Sequence, residues 1–284
     1  MNSIALTGST GVVGTRLQQY FKDAHFFVFD GDIRDEQAVK RFCRESATCD
    51  VLIHLAALVP KQSVDSDPIE AFEVNARGTL NVLEGLRPLR NYAPWMFYAS
   101  SSHVYRSSST PIAEDGPLEP FTLYGLTKLQ GEQWCNAYAR EFGMKVCVGR
   151  IFSFSDPLQS NLYFIPAMIH KIKDAPRNAT IEISGINGGR DFLTVFQICQ
   201  AIELLSVKKF EGVVNIGTGI CNQLLNIVHR VAELLDRQDL QIIPKDDEPN
   251  FHLADVSMLN AIGLKLPNEL DALLIEMTKH ANDK

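Results

Sequence analysis

The chain has 284 residues, enough to bury the core of one large α/β unit, alone or with a small appended lobe. Its net charge of -7 comes from acidic residues spread along the chain, which leaves no basic footprint for nucleic acid or an anionic membrane surface. Met1 to Leu6 holds no basic segment leading a long apolar one, and no later stretch is apolar for the length of a span. The sequence therefore predicts a soluble, cytoplasmic protein without a membrane partner. Cys43, Cys49, Cys135, Cys147, Cys199 and Cys221 form no C-x-x-C pair and no His/Cys cluster, so neither a zinc site nor a disulfide framework is expected.

Residues 3–7 are a short apolar run that leads straight into Thr7-Gly8-Ser9-Thr10-Gly11-Val12-Val13-Gly14, and Leu17, Tyr20 and Phe21 then recur at helical spacing. The order is strand, turn, helix. In that setting Gly8 serves a tight turn, Gly11 lets backbone approach a pyrophosphate, and Gly14 lets helix pack on strand, while the helix start offers free N–H groups to phosphate. A dinucleotide site is predicted here.

Phe26 to Asp30 is an apolar strand ending in an acid sixteen residues past Gly14. A carboxylate there accepts from both hydroxyls of an adenosine ribose and repels a 2'-phosphate, which points to NAD. NADP stays open, because Asp30 runs almost directly into Gly31-Asp32-Ile33-Arg34-Asp35 and Arg34 can approach a phosphate. Asp30 and Asp32 also suit turn and N-cap positions for a helix over about 35–46.

Asp50 to Ala57 reads as a buried parallel strand ending in small residues, which leave room for a ligand at the carboxyl end of a sheet. His54 within it is expected to be a satisfied core histidine. A long helix is predicted after Pro68, with Asn75 as a polar group bonded to neighbouring backbone. Trp95 to Ala99 is the next strand, and Ser100-Ser101-Ser102-His103-Val104-Tyr105 leaves its end. Ser107 to Ser109 reads as a linker and residues 111–120 as a surface excursion. Tyr124 and Lys128 then stand four apart on a helix, so the ammonium lies beside the phenol and favours its ionised form. The spacing also suits a solvent-facing helix with an amphipathic tyrosine.

In this order the glycine turn, the Ser-Ser-Ser-x-Val-Tyr loop and Tyr124-x-x-x-Lys128 resemble the extended short-chain dehydrogenase/reductase family, in its NAD-dependent epimerase/dehydratase group of nucleotide-sugar epimerases, dehydratases and 4-keto reductases. The likeness continues through Asp32-Ile33, His54 to Ala57, Asn75-x-x-Gly78-Thr79, Gly185 to Phe192 and Asn215 to Gly219, nearly the whole chain. It implies a Rossmann-type doubly wound parallel sheet. Residues 1–151 would be the dinucleotide-binding domain, with 192–217 returning to it, and 152–191 with 218–284 a small C-terminal substrate lobe. The cofactor residues implied are Gly8, Thr10, Gly11, Val12, Val13 and Gly14, then Asp30, Asp32 and Ile33, then Leu55, Ala56 and Ala57, with Tyr124 and Lys128.

The resemblance also places the catalytic hydroxyl on Ser101, the acid/base on Tyr124, and on Lys128 the group that lowers the phenol's pKa and holds the nicotinamide ribose. Dehydratases of the family carry an Asp-Glu pair where this chain has Ser102 and His103, which argues against dehydration. His103 occupies the place of the catalytic cysteine of the fucose synthases, and Tyr163 that of its histidine partner. A histidine titrates near neutrality and can move a proton beside a ketone; a loop histidine bonded to backbone is the other reading. Substrate contacts are implied for Ser102, Asn161, Tyr163 and Arg190. Arg190 suits a bidentate phosphate contact, or alternatively a salt bridge with Asp191.

Two departures stand out: Gln197 replaces a usual aspartate, and Asp246-Asp247-Glu248-Pro249 falls where an arginine-proline pair is common. The expected function is NAD(P)-dependent oxidoreduction or epimerisation at C4 of a nucleotide-linked sugar. The alternative is a catalytically silent, cofactor-binding regulatory subunit. A homodimer formed through the helices that hold residues 72–86 and 124–140 is also implied, and residues 268–284 read as one amphipathic helix with a polar tail.

Overall fold

A computed structural model describes residues 1–59 and 61–282. Six strands, β1 (Ser3–Thr7), β2 (His25–Phe29), β3 (Val51–His54), β4 (Trp95–Ser101), β5 (Val146–Ile151) and β6 (Gly212–Ile216), form one parallel sheet in the order β6-β5-β4-β3-β1-β2. The expected doubly wound α/β sheet is therefore present. Chain order reverses between β1 and β3, and a crevice at the carboxyl ends of these two strands is where such a sheet takes a ligand. Thr7 is in register with His54, and His54 with Tyr98, so three strand ends meet there. β2 is the sheet edge, in keeping with the short segment that follows Asp30.

The strands are nearly continuous in apolar residues because both faces are covered. On one face α1 (Val12–Tyr20) and a long helix over 195–208 pack Leu17, Phe21, Ile198 and Ile202 against Ile4, Leu6, Val51 and Ile53. On the other, α2 (Glu36–Glu45), α3 (Gly78–Leu86) and α4 (Leu123–Phe142) contribute Val39, Phe42, Val82, Leu83 and Cys135. Each such fully buried side chain is worth about 1.5–3 kcal/mol relative to exposure. A separate apolar cluster joins α5 (Phe164–Asp174), Ile183, Ile186, Phe192, α7 (Leu224–Leu234) and α8 (Leu270–Asn282), the 195–208 helix being α6. Phe192 faces that cluster whereas Leu193 faces the sheet's, so the change of core falls on one short strand. The expected C-terminal helix is α8; residues 283–284 of the predicted tail lie outside the described residues.

A buried ionic network fastens α4 to the sheet. Arg150 on β5 donates to Glu132 of α4 at 2.7 Å, to the Tyr105 hydroxyl at 2.7 Å and to the Glu114 carbonyl at 2.7 Å. Glu132 also accepts from Ser100 at the end of β4, and Tyr105 donates to Asn215 at 2.7 Å. Residues 111–120 are consequently more than the expected surface excursion: Ile112 is buried and bridges to Ala254, and Glu114 accepts from the Asn215 amide. Ser107 and Ser108, expected as linker, are bonded to Phe251. The six cysteines are free, five of them buried, and among the described residues no helix is long and apolar enough to cross a membrane.

Removing the charge of Glu132 leaves the buried Arg150 guanidinium without its counterion. Glu132→Gln should cost about 3–5 kcal/mol of unfolding free energy in a denaturant titration. A loss below about 1 kcal/mol would mean that the pair contributes little to the fold.

Candidate active site

The glycine turn owes its shape to close contacts. Gly8 has φ of +74°, and a Cβ on it would fall 2.5 Å from the amide nitrogen of Ala56, at the end of β3. A Cβ on Gly14 would fall 2.3 Å from the Gly8 carbonyl, so the first turn of α1 lies directly on the loop. Gly11 is the N-cap of α1 and exposed, with no side chain capping the helix start. The amides of Val12 and Val13 thus stay available to an anion, as a dinucleotide pyrophosphate requires. Thr10 is exposed on the same turn.

Asp30 lies exposed just past β2, and its carboxylate makes no hydrogen bond with described residues. The N-cap of α2 is Asp35, in place of Asp30 or Asp32. Asp32 instead holds Arg34 at 2.7 Å, and Arg34 also reaches Glu70 at 3.4 Å, so Arg34 is engaged by carboxylates. Ile33 is buried against Gly78. Leu55, Ala56 and Ala57 lie half-buried beyond the end of β3. His54 is the satisfied core histidine expected: Nδ1 pairs with Thr7 at 2.7 Å and Nε2 with Thr79 at 3.1 Å. Burial, with help from Lys128, pushes its pKa down to about 3.

The helix after Pro68 is not one regular helix. It runs Pro68–Phe72, a π-turn Glu73–Arg77, then α3, and Asn75 sits in the π-turn. The side chain of Asn75 exchanges hydrogen bonds with the backbone of Leu58 (2.7 and 2.9 Å) and donates to Thr127 at 3.0 Å. It therefore ties the loop after β3 to the helix that carries Tyr124 and Lys128. The sequence pointed to a backbone contact for Asn75 but not to this double tie. π-turns are frequent at functional sites.

Ser101 and Tyr124 come close where β4 ends and α4 begins, whereas Lys128, one turn further along α4, lies over the Tyr98 ring and is not among the groups that shift the Tyr124 phenol, contrary to the expectation from their spacing. Thr122 caps α4 by accepting from the Gly125 amide at 3.0 Å. A Cβ on Gly125 would meet the His103 carbonyl at 2.1 Å, so the helix start lies against the turn that leaves β4. Ser101 accepts from the His103 amide at 3.2 Å, and its side chain lies near enough to the Tyr124 phenol to influence it. Burial pushes the Tyr124 phenol well up, nearby Ser101 works against this, and Tyr163 adds to it. The phenol is thus protonated at neutral pH in the surroundings that the protein's own groups provide. Lys128 is 3% exposed, has no ion pair among the described residues and sits 4.8 Å above the Tyr98 ring. Burial pushes its pKa down to about 8, against the pull of Cys135 and Glu132.

His103 packs edge-on to Tyr124 with centroids 5.7 Å apart, and its Nδ1 is 3.3 Å from the Thr122 hydroxyl. The expectation that it titrates near neutrality is corrected: burial, then the charge of Arg190, pushes it down to about 4. Arg190 does not pair with Asp191, as one reading had it. It donates to the carbonyls of Gly189 and Asn250, while Asp191 binds Thr218 at 2.7 Å. Burial pushes Arg190 down to about 10. Tyr163 caps the start of α5 near Tyr124, Ser102 is buried in the turn after Ser101, and Asn161 stands exposed without a bonded neighbour among the described residues. One residue absent from the sequence reading joins this group: His252, stacked 6.0 Å from His103. Its two-residue strand has no periodicity, and only its pairing with Arg190 reveals it.

With this geometry in view, the profile described as the NAD dependent epimerase/dehydratase family matches residues 4–217. The chain belongs to that family. Members are NAD(P)-dependent enzymes, and the open first turn of α1 above Gly8, Gly11 and Gly14 fits such a cofactor. Among its relatives, GDP-6-deoxy-D-mannose reductase of Pseudomonas aeruginosa is 27% identical over 251 residues, covering 84% of this chain and 81% of its own. GDP-6-deoxy-D-talose 4-dehydrogenase of Aggregatibacter actinomycetemcomitans is 26% identical over 293 residues, covering 98% and 97%. The structure of Thermus thermophilus UDP-glucose 4-epimerase with NAD superposes with a TM-score of 0.85 at 20% identity, covering 99% of each chain, and speaks for the fold.

The depressed pKa of His103 is open to direct measurement. In an NMR titration of the imidazoles, His103 should remain neutral from about pH 8 down to about pH 5.5, a range in which an exposed histidine titrates. A midpoint near 6.5 for His103 would contradict the burial described.

Proposed function

We propose that this enzyme moves a hydride at C4 of a nucleotide-linked sugar, with Tyr124 as the acid/base, Ser101 as its hydrogen-bonding partner on the same substrate oxygen, and Lys128 as the cation that steadies both phenol and cofactor ribose. The observation that carries the reading is the packing of the start of α4 against the turn that leaves β4, which puts the Tyr124 phenol near Ser101 at the same end of the sheet as the glycine turn. When bound, the nicotinamide supplies or accepts the hydride. The chain's own groups handle the proton. A phenol that burial keeps protonated is a ready donor to a ketone, so the resting site suits reduction of a 4-keto sugar. In the opposite direction the phenol must lose its proton to remove that of a C4 hydroxyl, and a nearby ammonium lowers the cost of the phenolate.

Two relatives, named as oxidoreductases of GDP-linked deoxysugars, support a nucleotide sugar as substrate. His103 is held neutral, so in this reading it orients substrate through hydrogen bonds and carries no proton in turnover. NAD is the cofactor we favour over NADP, because Asp30 faces solvent with a free carboxylate and Arg34 is already held by Asp32. The intact Tyr124 and Lys128 speak against a silent regulatory subunit.

The test is a panel of nucleotide sugars and their 4-keto derivatives, assayed with NAD(H) and NADP(H). Turnover with at least one member, better with NAD(H), is expected. In Tyr124→Phe it should fall by about 10²–10⁴-fold while cofactor binding persists. Biological activity that survives this substitution would favour the regulatory reading.

A homodimer is proposed as well. Leu123, Leu126 and Trp134 on α4 and Ile69 and Phe72 before the π-turn are large apolar side chains left exposed on neighbouring helices. Light scattering should give twice the chain mass, and Leu126→Glu with Trp134→Glu should give the single chain. A monomeric parent protein would remove this proposal.

A further inference from the structure

Three buried side-chain polar atoms lack a hydrogen-bond partner among the described residues: Asn250 Oδ1, His252 Nδ1 and His252 Nε2. All three belong to one three-residue span. His252 is 1% exposed, and the Ser102 backbone approaches its ring without a hydrogen bond of ordinary geometry. Buried polar atoms are normally paired, and orphans gathered in one place mark a spot where a partner from outside the chain belongs.

The surroundings say which kind of partner. The strand Phe251–His252 runs parallel to Gly189–Arg190, with His252 in register with Arg190. Arg190 has no ion pair among the described residues, and its two bonds to carbonyls both use the same nitrogen. A half-buried guanidinium with no carboxylate among the described residues, next to an imidazole whose N–H is unbonded, suits an anion with several acceptor oxygens. Phe121 closes one side, its ring 5.3 Å from that of His103 and 5.1 Å from that of His252.

Position narrows the class further. His103 packs against both Tyr124 and His252, at 5.7 Å from one ring and 6.0 Å from the other, so these two residues share a neighbour at the site. In a pyranose the anomeric carbon lies across the ring from C4. A sugar whose C4 is at Tyr124 can thus send its anomeric substituent past His103 toward His252 and Arg190. We propose that His252 is a further holder of the diphosphate of the nucleotide-linked substrate, its imidazole N–H donating to a phosphate oxygen beside Arg190, for which the family resemblance already implies a phosphate contact. This rests on the C4 reading above for the direction of the sugar, and it assigns the anion to residues outside the acidic stretch 246–248. Burial, reinforced by Arg190 and His103, pushes the pKa of His252 down to about 3. The ring therefore acts as a neutral donor at neutral pH.

The experiment uses the full chain loaded with NAD and three variants. His252→Phe and His252→Leu fill the space without a donor, and His252→Gln keeps one. For each, KM and kcat are measured with the nucleotide sugar that the parent turns over, and UDP and GDP are titrated calorimetrically. NAD affinity reports whether the fold persists. In His252→Phe, KM and the diphosphate Kd should rise by about tenfold or more, with kcat changed by less than about threefold. His252→Gln should recover much of the loss. If His252→Phe loses NAD binding, His252→Leu carries the same expectation.

Unchanged KM and diphosphate Kd in a donor-free variant that still binds NAD would overturn the assignment. Should the parent turn over no nucleotide sugar, the UDP and GDP titrations decide alone. Binding that is lost in the donor-free variant would keep the subsite while the C4 reading falls. Failure of both diphosphates to bind the parent would remove the subsite.

Discussion

The geometry of the site depends on one buried ion pair. Arg150 projects from β5 and Glu132 from α4, each 3% or less exposed at the side chain, and between them they gather Ser100, Tyr105, Glu114 and, through Tyr105, Asn215. A pair of this kind is worth little as net stabilisation, since desolvation offsets much of the attraction, but breaking it is costly. Its effect here is positional. Glu132 lies two helical turns beyond Tyr124, and Ser100 immediately precedes Ser101. Anchoring Glu132 to Ser100 and Arg150 therefore sets the angle at which α4 meets the end of β4, and with it the meeting of Tyr124 and Ser101. Asn75 makes a second tie, from the loop after β3 to Thr127. The acid/base side and the cofactor side of the crevice are held to the same helix.

Desolvation gives the site its electrostatic character. Burial pushes the Tyr124 phenol up, His103 to about 4 and His252 to about 3, so three ionisable groups stay neutral near pH 7. Lys128 and Arg190 are also pushed down, to about 8 and about 10, yet each keeps a largely protonated form at neutral pH, and among the described residues neither has a carboxylate partner. The chain carries a net charge of -7, while Lys128 and Arg190 put two cations at the site. A low-dielectric pocket with two unpaired cations suits anionic ligands, and both a dinucleotide and a nucleotide sugar are anionic.

How much of this the sequence carried depends on the range of each signal. The parallel sheet, the glycine turn and the placing of Tyr124 and Lys128 one helical turn apart come from contiguous runs, where spacing translates directly into geometry. Gly8 and Gly14 illustrate the point: their need for glycine comes from backbone atoms a few residues away or across one strand pair. His252 gave no signal, since its neighbours Arg190 and His103 are 62 and 149 residues away in sequence and its strand has only two residues. Residues 111–120 looked like surface because they are rich in proline and polar groups. They are anchored by Ile112 and Glu114 to partners around 150, 215 and 254. The resemblance, by aligning Val104-Tyr105 with the family loop, placed His103 at the catalytic site, but only burial fixes its charge.

The acidic stretch 246–248 raised a doubt about any anionic substrate, and the contacts of these residues answer it. Asp246 and Glu248 are exposed, while Asp247 turns back to accept from the Gly185 amide and from Asn187 at 2.8 Å. Asn187 also donates to the Lys245 carbonyl at 2.7 Å. These bonds clasp the loop 185–187 to the segment before the strand Phe251–His252. Immediately beyond the clasp, Gly188 lies so close to Asn250 that a Cβ would fall 1.8 Å from its carbonyl. Arg190 and His252 then run side by side in register. A carboxylate satisfied by a backbone amide and a side-chain amide has its acceptor capacity engaged. The negative residues therefore hold the two strands together from one end and leave the cation and the unpaired imidazole at the other end to meet a ligand.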